Sequence, residues 1–252
     1  MTDTTKDALS KVPEVTLLFW IIKIAATTLG ETGGDAVSMS MNLGYLLGTG
    51  IFAAIFFLAV MAQIKAKGFH PFLYWTTIIA TTTVGTTLAD YADRSLGIGY
   101  AGGSSLLLIM LMASLAIWYR TLGSVSVASV SSTKAEVFYW VTIMFSQTLG
   151  TALGDWTADT AGLGYEGGAM VFSALLLLVV VAYFWTKISH TILFWAAFIL
   201  TRPLGAVVGD FLDKPIDAGG LALSRYTASA VLLIFIVACI LIFENRAAKK
   251  AH

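Results

Sequence analysis

The chain has 252 residues, and its 15 Lys and Arg balance 15 Asp and Glu, so no overall field draws it to nucleic acid. Hydrophobic residues make up 58% and charged residues only 12%, with a mean hydropathy of +0.83; a soluble domain carries roughly twice that charged fraction, so a soluble globule is excluded. The single cysteine, Cys239, excludes an intramolecular disulfide and reads as a small buried apolar residue.

Met1–Pro13 is polar, and apolar segments follow along the whole chain. Charge-poor runs lie at Leu46–Ile64, Phe72–Ala89, Ser105–Trp118, Val137–Leu153, Met170–Trp185, Ile192–Val208 and Leu221–Phe243. A bilayer needs about 20 apolar residues per helix. The runs predict helices near 15–35, 44–64, 72–92, 100–120, 136–156, 165–186, 191–211 and 221–243. The first has the outline of a signal peptide, yet it carries the repeat described next and is read as a mature helix. Short polar stretches between helices predict antiparallel hairpins. The expected fold is all-α: a polytopic membrane protein of eight transmembrane helices, built as four parallel hairpin repeats. Its two tandem halves, 1–124 and 125–252, form one integral membrane domain.

Each repeat holds a Trp, a Gly ten residues later, an Asp five further on and another Gly nine beyond. The copies are Trp20/Gly30/Asp35/Gly44, Trp75/Gly85/Asp90/Gly99, Trp140/Gly150/Asp155/Gly164 and Trp195/Gly205/Asp210/Gly219. Copies 1 and 3, and copies 2 and 4, are each offset by 120 residues. Copies 2 and 4 share a second acid and a base, in Asp90-Tyr-Ala-Asp93-Arg94 and Asp210-Phe-Leu-Asp213-Lys214, and a His before the Trp, His70 and His190. Copies 1 and 3 share Thr-Leu-Gly and the Gly34 and Gly154 that precede the Asp. Two crossings per copy make the repeats parallel and put all four Asp on one side. Lys6, Lys11, Lys65, Lys67, Arg120, Lys134, Lys187, Arg246, Lys249 and Lys250 fall on the other side, against Arg94, Lys214 and Arg225 beside the Asp. That bias predicts a membrane protein with both termini cytoplasmic and the repeat Trp residues in an interfacial belt.

With the repeat Gly as position zero, positions −3, +1 and +5 share one helix face. They are Thr27, Thr82, Gln147 and Arg202; Glu31, Thr86, Thr151 and Ala206; and Asp35, Asp90, Asp155 and Asp210. In copy 1 the stripe continues one turn inward to Lys23. Polar stripes at membrane depth face protein or water. Four converging stripes would make a funnel with a carboxylate ring, a hydroxyl layer and a deeper charged layer, and the repeat Gly residues would let the helices approach closely. The plainer alternative is that each Thr bonds its own backbone and each Asp ends a helix among headgroups.

Further acids, Asp93, Asp159, Glu166, Asp213 and Asp217, lie on the same side as the ring. Carboxylates and hydroxyls are hard ligands suited to Mg, Ca or Mn. Glu31 is either a proton-coupled binding carboxylate or half of a buried ion pair with Lys23 or Arg202. Arg202, beside Pro203, gates a cation path or pairs with Glu31. His70 and His190 read as boundary residues, with a proton relay as the minority alternative, and His252 is terminal. No P-loop, GxSxG, HExxH or dinucleotide fingerprint occurs, so neither an enzyme nor a cofactor is expected.

The run Gly30-Glu-Thr-Gly-Gly-Asp35 and the Gly-Tyr-x-x-Gly runs at Gly44–Gly48, Gly99–Gly103 and Gly164–Gly168 make the whole chain resemble a bacterial family described as uncharacterised membrane-anchored proteins. That resemblance implies an eight-helix repeat protein. Glu31-Thr-Gly-Gly-Asp35 is also similar to acid-x-Gly-Asp signatures of some cation/proton exchangers, with one inserted residue and no base after the Asp. The expected function is transport of a hard metal cation, with Mn or another divalent ion first and proton coupling through Glu31. The metal ligands would be Glu31, Asp35, Asp90, Asp155 and Asp210, with Thr27, Thr82, Thr86, Gln147 and Thr151 lining the path. One alternative is a carrier or channel for a small anion or zwitterion bound by Lys23 and Arg202; another is a cation-binding sensor or scaffold without flux. The expected partners are the bilayer and the transported ion.

Overall fold

A computed structural model describes residues 10–248. Lys6, Lys249, Lys250 and His252, part of the charge and histidine inventory above, lie outside the described residues. Among those described, eight long helices follow one another: α1 Leu17–Asp35, α2 Gly44–Lys65, α3 Pro71–Asp90, α4 Tyr100–Leu122, α5 Thr133–Asp155, α6 Gly164–Trp185, α7 His190–Asp213 and α8 Arg225–Ile242. Their starts follow local chemistry. Thr16 and Ser132 accept hydrogen bonds from the amides of Phe19 and Ala135, and Pro71 opens α3, where its missing N–H costs nothing.

The ends of the odd helices explain the last glycine of the repeat. After Asp35, Asp90 and Asp155 the chain makes one π-helical turn, at Ala36–Ser40, Tyr91–Ser95 and Trp156–Thr160. In the fourth copy Pro215 forces Lys214 out of helical geometry, and α7 stops at Asp213. All four copies then reverse at a glycine with positive φ: Gly44 at 75°, Gly99 at 80°, Gly164 at 65° and Gly219 at 86°. A side chain there would clash with the following carbonyl.

Helices α1, α3, α5 and α7 form a closed inner ring in which each packs on the next and α7 returns to α1. The even helices form an outer layer. Here the structure departs from the simple hairpin expected from loop length, because each even helix packs chiefly against the odd helix of the following repeat. α2 lies on α3, α4 on α5, α6 on α7, and α8 closes on α1. The connections after Asp35, Asp90, Asp155 and Asp213 carry the chain sideways by one ring position, through a π-helical turn in the first three copies and through the Pro215 turn in the fourth.

The repeat glycine sets the ring spacing. A Cβ on Gly30 would strike Thr82, one on Gly85 would meet the backbone of Gln147, one on Gly150 would strike Arg202 and one on Gly205 would strike Thr27. In every case the glycine at position zero receives the −3 residue of the next odd helix. One turn on, Gly34 receives Thr86, Gly154 receives Ala206 and Gly209 receives Glu31. These are small-xxx-small seams repeated around a ring, and equal positions meet only if the four odd helices run parallel.

Helices α2, α4, α6, α7 and α8 are long and apolar enough to cross a membrane. α1, α3 and α5 fall short of that measure because the ring's polar residues dilute their hydropathy. The outer helices turn Leu46, Phe57, Leu106, Leu177, Phe184 and Ile234 outward, an apolar coat fit for acyl chains. The chain is a helical membrane protein with internal repeats. Its repeat Trp residues differ from the expected belt. Trp75, Trp140 and Trp195 are buried in an aromatic cluster with Phe19, Tyr74, Tyr139 and Phe194, and only Trp20 is half-buried. Position −10 turns into the bundle, where these large rings pack with Phe19, Tyr74, Tyr139 and Phe194 and close the end of the ring away from the repeat Asp.

Candidate functional site

The three stripe positions of the four odd helices are all interior, none more than 3% exposed. Arg202 shows that they meet. From α7 its Nη2 donates to Glu31 Oε2 on α1 at 2.9 Å, to Thr86 Oγ1 on α3 at 2.6 Å, and to Thr151 Oγ1 on α5. One guanidinium thus touches all three other inner helices and occupies the axis, which is therefore a packed polar core at this level rather than an open funnel.

From the closed end upward the axis is layered. Phe19, Tyr74, Tyr139 and Phe194 come first, with the Tyr74 and Tyr139 hydroxyls hydrogen-bonded at 2.6 Å. Lys23, Ile78, Ile143 and Phe198 follow, all fully buried, and the Lys23 ammonium lies 4.2 Å from the centre of the Phe198 ring. Thr27, Thr82, Gln147 and Arg202 form the next layer. Glu31, Thr86, Thr151 and Ala206 come above them, and the four Asp close the series. Several threonines bond their own helix as the plainer reading expects: Thr27 donates to Ile24 O at 2.8 Å and Thr86 to Thr82 O at 3.2 Å. Thr86 also reaches Glu31 Oε2 at 3.2 Å.

The Asp layer is interleaved with cations. Arg94 pairs with its own repeat's Asp90 at 2.9 Å and with Asp155 of the next repeat at 3.6 Å. Lys214 likewise pairs with Asp210 at 3.0 Å and with Asp35 of the next repeat around the ring. The 120-residue offset therefore reappears as a twofold arrangement in the ring. Asp213 joins the site, 4.0 Å from Lys214 and 3.1 Å from Arg225, and Arg225 is 3.8 Å from Asp35. Burial alone would discourage the Lys214 charge, but Asp210, Asp35 and Asp213 outweigh it and hold the ammonium's pKa above the ordinary lysine value. Five carboxylates, Asp35, Asp90, Asp155, Asp210 and Asp213, share three cations, so this layer carries a formal excess of two negative charges.

Two carboxylate trios have oxygens within 4.8 Å of one another, Glu31/Asp35/Asp90 and Asp35/Asp210/Asp213, all buried. The second already surrounds Lys214. The first is the set that can share a hard metal ion, since carboxylate oxygens about 2–2.6 Å from a common centre fall within that spread. Asp155 is held by Arg94 and belongs to neither trio.

Below the Arg202–Glu31 pair the arrangement inverts. Lys23 Nζ, both amide atoms of Gln147, Thr82 Oγ1, Ser146 Oγ and the Nε and Nη1 of Arg202 are buried without a hydrogen-bond partner. His70 and His190 are exposed at the opposite end from the Asp layer, away from the axis. Asp159, Glu166 and Asp217 are exposed, outside the ring. An apolar groove of about 630 Å³ lined by Leu17, Trp20, Ile24, Tyr183, Phe184 and Phe194 includes none of the axial residues named for the site.

The periodicity of the odd helices missed Arg94, Lys214 and Arg225 as members of the site. The signal was present for two of them: each follows its ring Asp by four residues, one helical turn, in the copies that share an acid and a base. Arg225, from the start of α8, carried no such mark.

No curated protein and no solved structure matches the chain. A family described as Repeat of Unknown Function (DUF347) matches it four times, over residues 18–69, 73–124, 138–189 and 193–243. These segments begin 55, 65 and 55 residues apart, the spacing of the Trp-Gly-Asp-Gly pattern. The chain belongs to this repeat family.

Proposed function

We propose that the protein transports hard divalent metal cations, manganese first among them, across the bacterial plasma membrane. The observation that carries this reading is the buried trio Glu31, Asp35 and Asp90, with oxygens within 4.8 Å of one another, two of whose members belong to the Asp layer that is two positive charges short of balance. A divalent ion supplies that charge, and oxygen ligands select hard ions over Cu or Zn. All eight helices cross the bilayer in this reading. The bias of Lys and Arg puts both termini in the cytoplasm and the Asp layer outward.

Arg202 fills the axis, so passage requires a second arrangement in which it leaves Glu31, as alternating access would provide. Glu31 then exchanges its Arg202 partner for the metal or a proton. Asp35 and Asp90 collect the ion, Thr86 orients the Glu31 carboxylate, and Thr27, Thr82, Gln147 and Thr151 line the inner path. No reaction chemistry is assigned.

The test is flux of Mn, Ca, Mg and protons in proteoliposomes of the purified chain, with metal binding measured in parallel. Wild-type protein carries Mn. Asp90→Asn weakens Mn binding on the order of 100-fold, the effect of losing one unit charge in a partly screened site, and Glu31→Gln abolishes flux. Metal binding with no flux in the wild type would make the protein a sensor or scaffold. Unchanged flux in both variants would remove the mechanism.

A further inference from the structure

The inner half of the axis has an electrostatic problem opposite to that of the ring. Glu31 and Arg202 neutralise each other at 2.9 Å. Lys23, fully buried one to two turns deeper, has no carboxylate partner among the described residues. The nearest group identified for it is the Phe198 face at 4.2 Å, and a ring quadrupole offsets only part of a buried charge. Arg202 leaves Nε and Nη1 unpaired on the same side. Gln147 has neither amide atom bonded, and the hydroxyls of Thr82 and Ser146 are also free. Each unpaired buried polar group costs about 1–3 kcal/mol, and seven such atoms belong to residues of the inner helices from Lys23 to the Arg202 layer.

These groups share a chemical character. Lys23, Arg202 and the Gln147 amide nitrogen only donate, the two hydroxyls can donate, and the Gln147 oxygen is the sole pure acceptor. Arg202 carries a fixed charge, and an anion beside Lys23 would hold its amine protonated. The level is bounded above by the Arg202–Glu31–Thr86–Thr151 cluster and below by buried Ile78, Ile143 and Phe198, so only a small ion suits it.

We infer that Lys23, Arg202 and Gln147, with Thr82 and Ser146, form a binding site for a small monovalent inorganic anion. One negative charge there neutralises Lys23 and gives the free donors an acceptor. The site shares Arg202, Thr82 and Gln147 with the inner path proposed above but no carboxylate with the ring, so its argument does not rest on the metal reading.

The probes are chloride and bromide, applied to the purified full chain without divalent ions. At constant ionic strength, exchanging gluconate for chloride raises the thermal midpoint of the wild type on the order of 5–10 °C at 100 times the dissociation constant. Lys23→Met and Gln147→Leu each remove that shift. Crystals grown in bromide show an anomalous peak among Lys23, Arg202 and Gln147. The bromide experiment uses unaltered protein, so it decides the matter even if Lys23→Met fails to fold. A midpoint indifferent to chloride, or electron density of water alone between Lys23 and Arg202, overturns the inference. Mn flux surviving that result would leave the ring's function untouched.

Discussion

Replacing Arg202 by Met removes the one side chain that joins all four inner helices. The Glu31 carboxylate, 2% exposed, then keeps only the Thr86 hydroxyl at 3.2 Å. Breaking a buried pair by deleting one partner costs about 3–5 kcal/mol, mostly from the charge left behind. Glu31→Gln alone strands the Arg202 guanidinium and is destabilising by a similar mechanism. The double variant Glu31→Gln, Arg202→Met strands no charge, so at least ~2 kcal/mol of the summed single losses should return. Reversible unfolding in mixed micelles, titrated with sodium dodecyl sulfate, reads this directly. The buried Trp75, Trp118, Trp140 and Trp195 report unfolding by fluorescence. If Arg202→Met lies within about 1 kcal/mol of wild type, or if the two losses add within about 0.5 kcal/mol, the ion pair is not the joint described above.

Lys214→Met leaves five ring carboxylates facing Arg94 and Arg225 alone; it should lower stability by about 3 kcal/mol in metal-free buffer, with Mn restoring most of the loss in the same titration. Gly205→Ala places a Cβ 2.6 Å from Thr27 Cβ and 2.9 Å from its backbone carbon, so α1 and α7 must separate and the midpoint should fall far more than for Gly50→Ala, whose Cβ meets nothing within 4 Å. Tyr139→Phe removes the partner of the Tyr74 hydroxyl and should cost about 1–3 kcal/mol, with no effect on metal binding.

Much of the axis was legible because membrane depth penalises polar groups. Glu31, Gln147 and Arg202 stand out among Leu, Ile and Phe, and a period of four residues puts them on one face. The helix limits were legible for the same reason, and the positive-φ glycines marked the turns through the repeat itself. Periodicity along one helix does not say how that helix is rotated or shifted against its neighbours, however. The seams of Gly30 with Thr82 and Gly205 with Thr27 settle that, and they are properties of pairs. Short loops argued for plain hairpins, but every even helix, with a π-helical turn before it or, for α8, without one, packs on the odd helix of the next repeat. Trp75 and Trp140 followed the composition of an interfacial belt while their rings fill the bundle. Lys214 and Arg94 were visible as bases one turn past an Asp; their bridge to the neighbouring repeat needed three dimensions.

The handover of each even helix to the following repeat has a topological consequence. α8 covers α1 as α2 covers α3, so the last seam of the ring joins the fourth repeat to the first. The flanking segments follow suit: Glu14 N donates to Arg246 O and Ala248 N to Val12 O, both at 2.8 Å. The four repeats thus close into a ring with a seam of the same kind at every junction. Cutting elsewhere, at the α2–α3 connection near Lys67 and Gly68, and linking the original ends should give the same ring. A single excised repeat has neither of its two neighbours, so it can bury its seams only by assembling with further copies.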